Sequence, residues 1–182
     1  MSLQEAVDQA NGTPVTIEKD IRLDEPVRIA AGQRVEITAN ANENYNLFGN
    51  KDEKPTNLFV VEEGGELSLT GALTLGGWNN TGSILVNHGK TTIDGNVVIE
   101  KSTLEGDSMG VIEDNGSSAE LILENGTIQN HKIRGALSAS IRVTEGASFT
   151  MNGAPFRTTS RIPLPAIPPP PQYCCWVQAR LP

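Results

Sequence analysis

The stretch Val86-Asn87-His88-Gly89-Lys90-Thr91-Thr92-Ile93-Asp94-Gly95-Asn96-Val97-Val98-Ile99 decides the fold. Three short runs of apolar or β-branched residues are separated by corners that carry glycine and asparagine. Alternation within each run is the period of a strand with one buried face. Glycine relieves the strain that a β-carbon meets at a tight corner.

Looser copies flank it. On the N-terminal side come Leu58-Phe59-Val60-Val61, Gly65, Leu67-Ser68-Leu69, Gly71 and Leu73-Thr74-Leu75. On the other side come Val111-Ile112, Gly116, Leu121-Ile122-Leu123, Gly126 and Ile128, then Ile141-Arg142-Val143, Gly146 and Phe149-Thr150-Met151. Taking Gly32, Gly65, Gly89, Gly116 and Gly146 as equivalent gives periods from about 24 to about 33 residues, the range of solenoid repeats. Stacking the copies predicts two inward rows, Leu69 over Ile93, Leu123 and Met151, and Leu67 over Thr91, Leu121 and Phe149. A sandwich or barrel also has many short strands, but does not so readily repeat one cassette with its insertions confined to corners.

The chain begins differently. Leu3, Ala6, Val7 and Ala10 fall at helical spacing between Ser2, an N-cap, and Gly12, a stop. Residues 2–10 therefore read as a short helix capping the first layer. Runs at Val15–Ile17, Ile21–Leu23, Val27–Ile29 and Val35–Thr38 follow. Residues 40–57 are polar, hold six Asn and end at Lys54-Pro55-Thr56-Asn57, which reads as a loop inserted between two turns of the repeat.

Leu67-Ser68-Leu69-Thr70-Gly71, Thr91-Thr92-Ile93-Asp94-Gly95 and Leu123-Glu124-Asn125-Gly126-Thr127-Ile128-Gln129-Asn130 resemble coils of a right-handed parallel β-helix. The likeness is to bacterial cell-surface and adhesin-type proteins of the pectin-lyase-like superfamily, and covers residues 1–153. It implies an all-β solenoid with a short capping helix. It also implies an extracellular or cell-surface place and a non-enzymatic role: presenting loops to carbohydrate or to a host or cell-surface protein. The alternative it carries is a fragment of a polysaccharide-binding or polysaccharide-cleaving β-helix. Residues 1–12 lack the pattern of an export signal, so an exported protein would be represented here by a fragment or mature form.

Composition narrows the partners. The formal charge of −8 argues against nucleic acid, and no apolar run approaches a membrane span. Glycoside hydrolysis needs two carboxylates about 5 to 9.5 Å apart. Asp94, Glu100, Glu105, Asp107, Glu113, Asp114 and Glu124 are scattered acids without such a motif, and read as solvated corners. Calcium takes oxygen ligands, and Glu62-Glu63 and Glu113-Asp114-Asn115 are the places to test for it. His88 and His131 read as surface corner residues. Trp78, Asn79 and Asn80, with Tyr45 between Asn44 and Asn46, are the candidate glycan contacts: an aromatic stacks on a sugar ring while amides bond its hydroxyls. The bland reading of these aromatics is a hydrophobic plug over the core. Asn125 and Asn130 suit an asparagine ladder inside the corners.

After Gly153 the composition breaks. Residues 154–182 hold eight of the 11 Pro, both Cys and no Asp, Glu or Lys. The adjacent Cys174 and Cys175 give no disulfide framework. One reading is a proline-rich linker with Pro165-Ala166-Ile167-Pro168 as a PxxP ligand. The favoured reading is a shifted frame and an unstructured tail. Codons built from the last base of one observed codon and the first two of the next turn Tyr173–Val177 into Ile or Val followed by Leu-Leu-Leu-Gly, whatever codons are used. The same frame permits Gly-Thr-Ile for Ala154–Phe156.

Overall fold

The structure, a computed structural model, describes residues 1–40, 42–49, 57–76 and 82–153, with the backbone of 160–161. Every strand pairing in it is parallel. The chain winds as a parallel β-solenoid with one short N-terminal helix.

The first wall is six strands: β1 (Val15–Ile17), β4 (Arg34–Ala39), β7 (Glu66–Leu69), β10 (Lys90–Ile93), β14 (Glu120–Leu123) and β18 (Ser148–Met151). The second stacks β2 (Ile21–Leu23), β5 (Tyr45–Gly49), β8 (Leu73–Gly76), β11 (Val98–Glu100) and β15 (Thr127–Gln129). The third stacks β3 (Val27–Ile29), β6 (Phe59–Val61), β9 (Leu85–Asn87), β13 (Gly110–Asn115) and β17 (Ala139–Thr144). Among the described residues a fourth, short wall of β12 (Thr103–Leu104), β16 (Lys132–Ile133) and β19 (Ser160–Arg161) is present in the later coils.

Register follows the apolar alternation. Ile93 lies between Leu69 and Leu123, and Met151 follows Leu123; Thr91 lies between Leu67 and Leu121, and Phe149 follows Leu121. Both inward rows read from the sequence are present. A slip of one residue would turn a whole rung inside out, so each buried row fixes its neighbours.

The glycines do not form the single column expected of them. Gly65 and Gly89 do stack, and a β-carbon on Gly89 would lie 2.3 Å from the Gly65 carbonyl oxygen. In the next rungs, however, the residue preceding the strand is Ala119 and then Ala147. Gly116 and Gly146 sit earlier in their turns, with positive φ. Glycine is thus required at a corner by close approach in one coil and by left-handed backbone in another.

Two further readings are corrected. Residues 40–57 are not one inserted loop, because Tyr45–Gly49 forms β5 and pairs on both sides, with β2 and β8. His131 is not at the surface: it is fully buried.

The helix, α1 (Leu3–Gln9), has the expected N-cap at Ser2 and extends it to a capping box, with the Ser2 side chain on the Glu5 amide and the Glu5 carboxylate on the Ser2 amide. Leu3 and Val7 are buried over the first coil. Gln4 closes the edge of β3: its amide oxygen accepts from Arg28 N–H at 2.7 Å, and its amide nitrogen donates to the Arg28 carbonyl at 3.1 Å. One side-chain amide thus replaces the peptide group of a missing rung.

The buried rows carry the stability. Ile93→Ala removes a side chain that is 1 % exposed between two buried leucines, and is expected to destabilise by about 3 kcal/mol. Met151→Ala, at the half-buried end of the same row, should cost about 1 kcal/mol. Urea unfolding of the two variants against the parent checks the ranking.

Candidate functional site

The feature that topology assembles is the corner between the second and third walls. Two connections have their ends there, β5 to β6 and β8 to β9. They leave from adjacent rungs, since Phe48 of β5 is level with Gly76 of β8. They also return to adjacent rungs: Phe59 is level with Leu85, and Leu58 N–H donates to the Ile84 carbonyl at 3.0 Å. Leu58, Phe59, Ile84 and Leu85 are fully buried, so the return points are fixed in the core. Trp78, Asn79 and Asn80 belong to the second segment and lie outside the described residues.

Tyr45 sits at the start of β5, level with the buried Leu73, and packs partly against the core. Its phenol donates a hydrogen bond to the Glu43 carboxylate, and that bond, with lesser burial and charge effects, raises the Tyr45 pKa above its ordinary value. The ring therefore shares in the plug role. The flanking amides face other partners: Asn44 and Thr74 exchange hydrogen bonds at 3.0 and 3.1 Å, and Asp20 accepts from the Asn46 backbone and side chain. Sequence reasoning missed Phe48. Leu47 and Gly49 point inward, so Phe48 stands on the outer face, half-buried, beside a rung whose residue is Gly76 and has no side chain. The signal was available in the inward phase of Leu47, once Leu47 is set level with Ile21 and Leu75.

The acidic residues separate into unlike environments. Burial pushes Glu100 up, but Lys101 at 2.6 Å, Gln129 at 3.0 Å and Asn130 outweigh it and hold the carboxyl below its ordinary value. Asp94 is lowered by its bonds from Asn125 and from the Gly95 amide. A general acid needs the opposite shift. Asp114 has it, raised chiefly by desolvation, but it is fully buried. Among the described residues no group of three or more acidic, histidine or cysteine side chains converges on a metal position. Glu62 pairs with Arg28 at 2.7 Å, Glu63 accepts from Ser118, and Glu113 accepts from Ser83. Asn125 and Asn130 bond to acids at exposed corners rather than forming an internal ladder.

The internal polar contacts are elsewhere. Asn87 and Asp114 are level in the third wall, both fully buried. Asn87 Nδ2 reaches Asp114 Oδ1 at 2.6 Å and the carbonyls of Gly89 and Glu120, while Thr91 donates to Asn87 Oδ1. Asp114 Oδ2 has no hydrogen-bond partner among the described residues. His131 follows Asn130, whose φ of 58° turns the chain inward. Its Nδ1 accepts from Ser102 N–H at 3.2 Å, so Nε2 carries the proton and donates to the Ile99 carbonyl at 3.1 Å. Burial pushes this imidazole down to about 4.

These two groups predict opposite pH behaviour. An imidazole with a pKa near 6.5 unfolded and about 4 folded contributes stability that is complete above pH 6.5 and lost as the pH falls toward 4. That loss is on the order of 3 kcal/mol. Chemical denaturation at pH 7 and pH 4.5 should show it, and His131→Leu should flatten the slope while lowering stability at pH 7. A raised carboxyl penalises folding above its unfolded pKa. Asp114→Asn, which keeps the shape and the acceptor for Asn87, is therefore expected to be more stable than the parent at pH 7, with the advantage shrinking as the pH falls.

Comparison with protein-family models, with curated proteins and with solved structures gave no match.

Proposed function

We propose that this chain is a non-enzymatic, adhesin-like scaffold that works at a cell surface or outside the cell, and that the corner between its second and third walls presents residues for contact with carbohydrate or a surface protein. The observation that carries the reading is the paired anchorage just described. Segments 50–57 and 77–83 start and finish on adjacent rungs, and neighbouring rungs are about 4.8 Å apart. Trp78, Asn79 and Asn80 fall in one of them, and Phe48 and Tyr45 belong to the strand that opens the other.

Chemistry supports the same reading. An aromatic face with amides suits a sugar ring and its hydroxyls, and the acidic coils, with 22 Asp and Glu in the whole chain, disfavour polyanions. The right-handed, pectin-lyase-like kinship of the coils belongs to this proposal. So does the view that the gene's coils continue a cell-surface protein.

A glycan array probed with the 182-residue chain tests it. Binding to a defined set of glycans is expected, with Trp78→Ala together with Asn79→Ala and Asn80→Ala weakening it at least about tenfold, roughly 1.4 kcal/mol. Tyr45→Phe, which removes only the bond to Glu43, should leave binding within about twofold. Release of unsaturated or reducing ends from a bound polysaccharide would replace the scaffold by the polysaccharide-cleaving alternative.

A further inference from the structure

The two ends of the solenoid are unlike. At the start, α1 and Gln4 cover the first coil. At the other end β15, β17, β18 and β19 finish their sheets, and the inward rows lose their cover. Phe149 and Met151 are half-buried where Leu121 and Leu123, one rung back, are at most 1 % exposed. Ile141 is half-buried where Ile112 is fully buried, and Val143 half-buried where Asp114 is fully buried. The face that closes the chain is thus made of side chains that an additional rung would bury.

Register supplies the sequence such a rung should have. β14 pairs Glu120 with Ser148, and β16 pairs Lys132 with Ser160, a separation of 28 residues at both places. The same count takes residues 154–159 back to Gly126-Thr127-Ile128-Gln129-Asn130-His131, the corner, β15 and the buried histidine of the coil below. The residues in the chain, Ala154-Pro155-Phe156-Arg157-Thr158-Thr159, repeat none of them, and Pro155 falls where β15 has a strand residue. Reading each codon from the last base of the preceding one changes this. Every junction then admits the required residue, in order and without conflict between neighbouring codons: Gly, Thr, Ile, Gln, Asn and His. Most such codons have two bases fixed by the observed residues, so few choices are open at each position. Further on, Tyr173–Val177 is forced to Ile or Val followed by Leu-Leu-Leu-Gly, an apolar run closed by glycine.

We propose that the face of Ile141, Val143, Phe149 and Met151 is the seat of a further coil of this same solenoid, and that this coil is encoded beneath residues 154–182 in the neighbouring reading frame. Among the described residues after Gly153, Ser160–Arg161 adds to the stack, as β19 on β16. The occupant is defined by its chemistry: a parallel rung that brings an apolar row over Phe149 and Met151, and an Asn-His pair over Asn130 and His131. The inference is independent of what the presenting corner binds.

Sequencing the encoding DNA and inserting a single base near codon 153 tests it. The expected reading is open through codon 182, with a β-branched or leucine residue in place of Phe156 and Asn or His in place of Thr158 and Thr159. The frame-restored protein should melt several degrees above the 182-residue chain, and amide exchange at Ile141–Val143 and Phe149–Met151 should slow by about tenfold or more. A stop codon in that frame, a restored chain that fails to fold while the parent folds, or unchanged melting and exchange would each overturn it.

Discussion

Parallel backbone pairing between rungs is the constraint on which this structure depends. A single rung closes no hydrogen-bond ladder and buries little, so its backbone groups and its inward side chains are both satisfied only by the rungs on either side. Pairing and burial are therefore one event here. Setting Ile93 level with Leu69 also sets Thr92 outward beside Ser68, and carries the chain into the corner where Gly95 follows Gly71. That coupling explains how short strands of two to six residues make a continuous core without a long hydrophobic segment anywhere in the chain.

The same coupling explains the polar interior. A polar side chain placed in an inward row must find its partner within the stack, because water does not reach it. Asn87 solves this across two consecutive rungs through Asp114, with Val61 and Val143 on either side of the pair, whereas Asp114 is satisfied at Oδ1 alone among the described residues. His131 solves it within its own corner, using the Ser102 amide and the Ile99 carbonyl one coil back. Outside, the ladders are ionic: Arg34 with Glu66 and Lys90 with Glu120 cross neighbouring rungs of the first wall. These exposed pairs add little to stability, but opposite charges facing across each pair favour the observed register over one that sets like charges together.

Strand rows were legible in the sequence because burial imposes a period of two, and Leu67-Ser68-Leu69 or Leu121-Ile122-Leu123 displays it without a structure. Corners were less legible. Glycine marks a bend, but Gly89 is needed for close approach and Gly116 for its positive φ, so aligning glycines misplaced some turns while the strands stayed in register. β5 was hidden because Tyr45-Asn46-Leu47-Phe48-Gly49 sits among asparagines and has only one strongly apolar inward residue, Leu47. His131 was misread for a related reason: a left-handed Asn130 turns the next side chain inward, and nothing in the local composition announces it. Of the candidate contacts, Tyr45 could be found from its asparagine neighbours, whereas Phe48 becomes visible only when the phase of its strand is known.

A solenoid built this way separates folding from presentation. The inward rows and the backbone ladders fix each rung, while a connection between walls needs only to leave and rejoin the correct rungs. The cost of lengthening such a connection grows slowly with its length, and its sequence is free of the alternation demanded of the strands. The corner after β5 and β8 uses this freedom twice in succession, with both return points held by Leu58, Phe59, Ile84 and Leu85 in the core. Variation there can change what the surface meets without disturbing a row, whereas a change of similar size at Ile93 or Leu123 is transmitted to the rungs above and below. The division between a fixed register and a free corner is a physical reason for placing the proposed contact surface at the corner whose return points are Leu58, Phe59, Ile84 and Leu85, rather than on the walls.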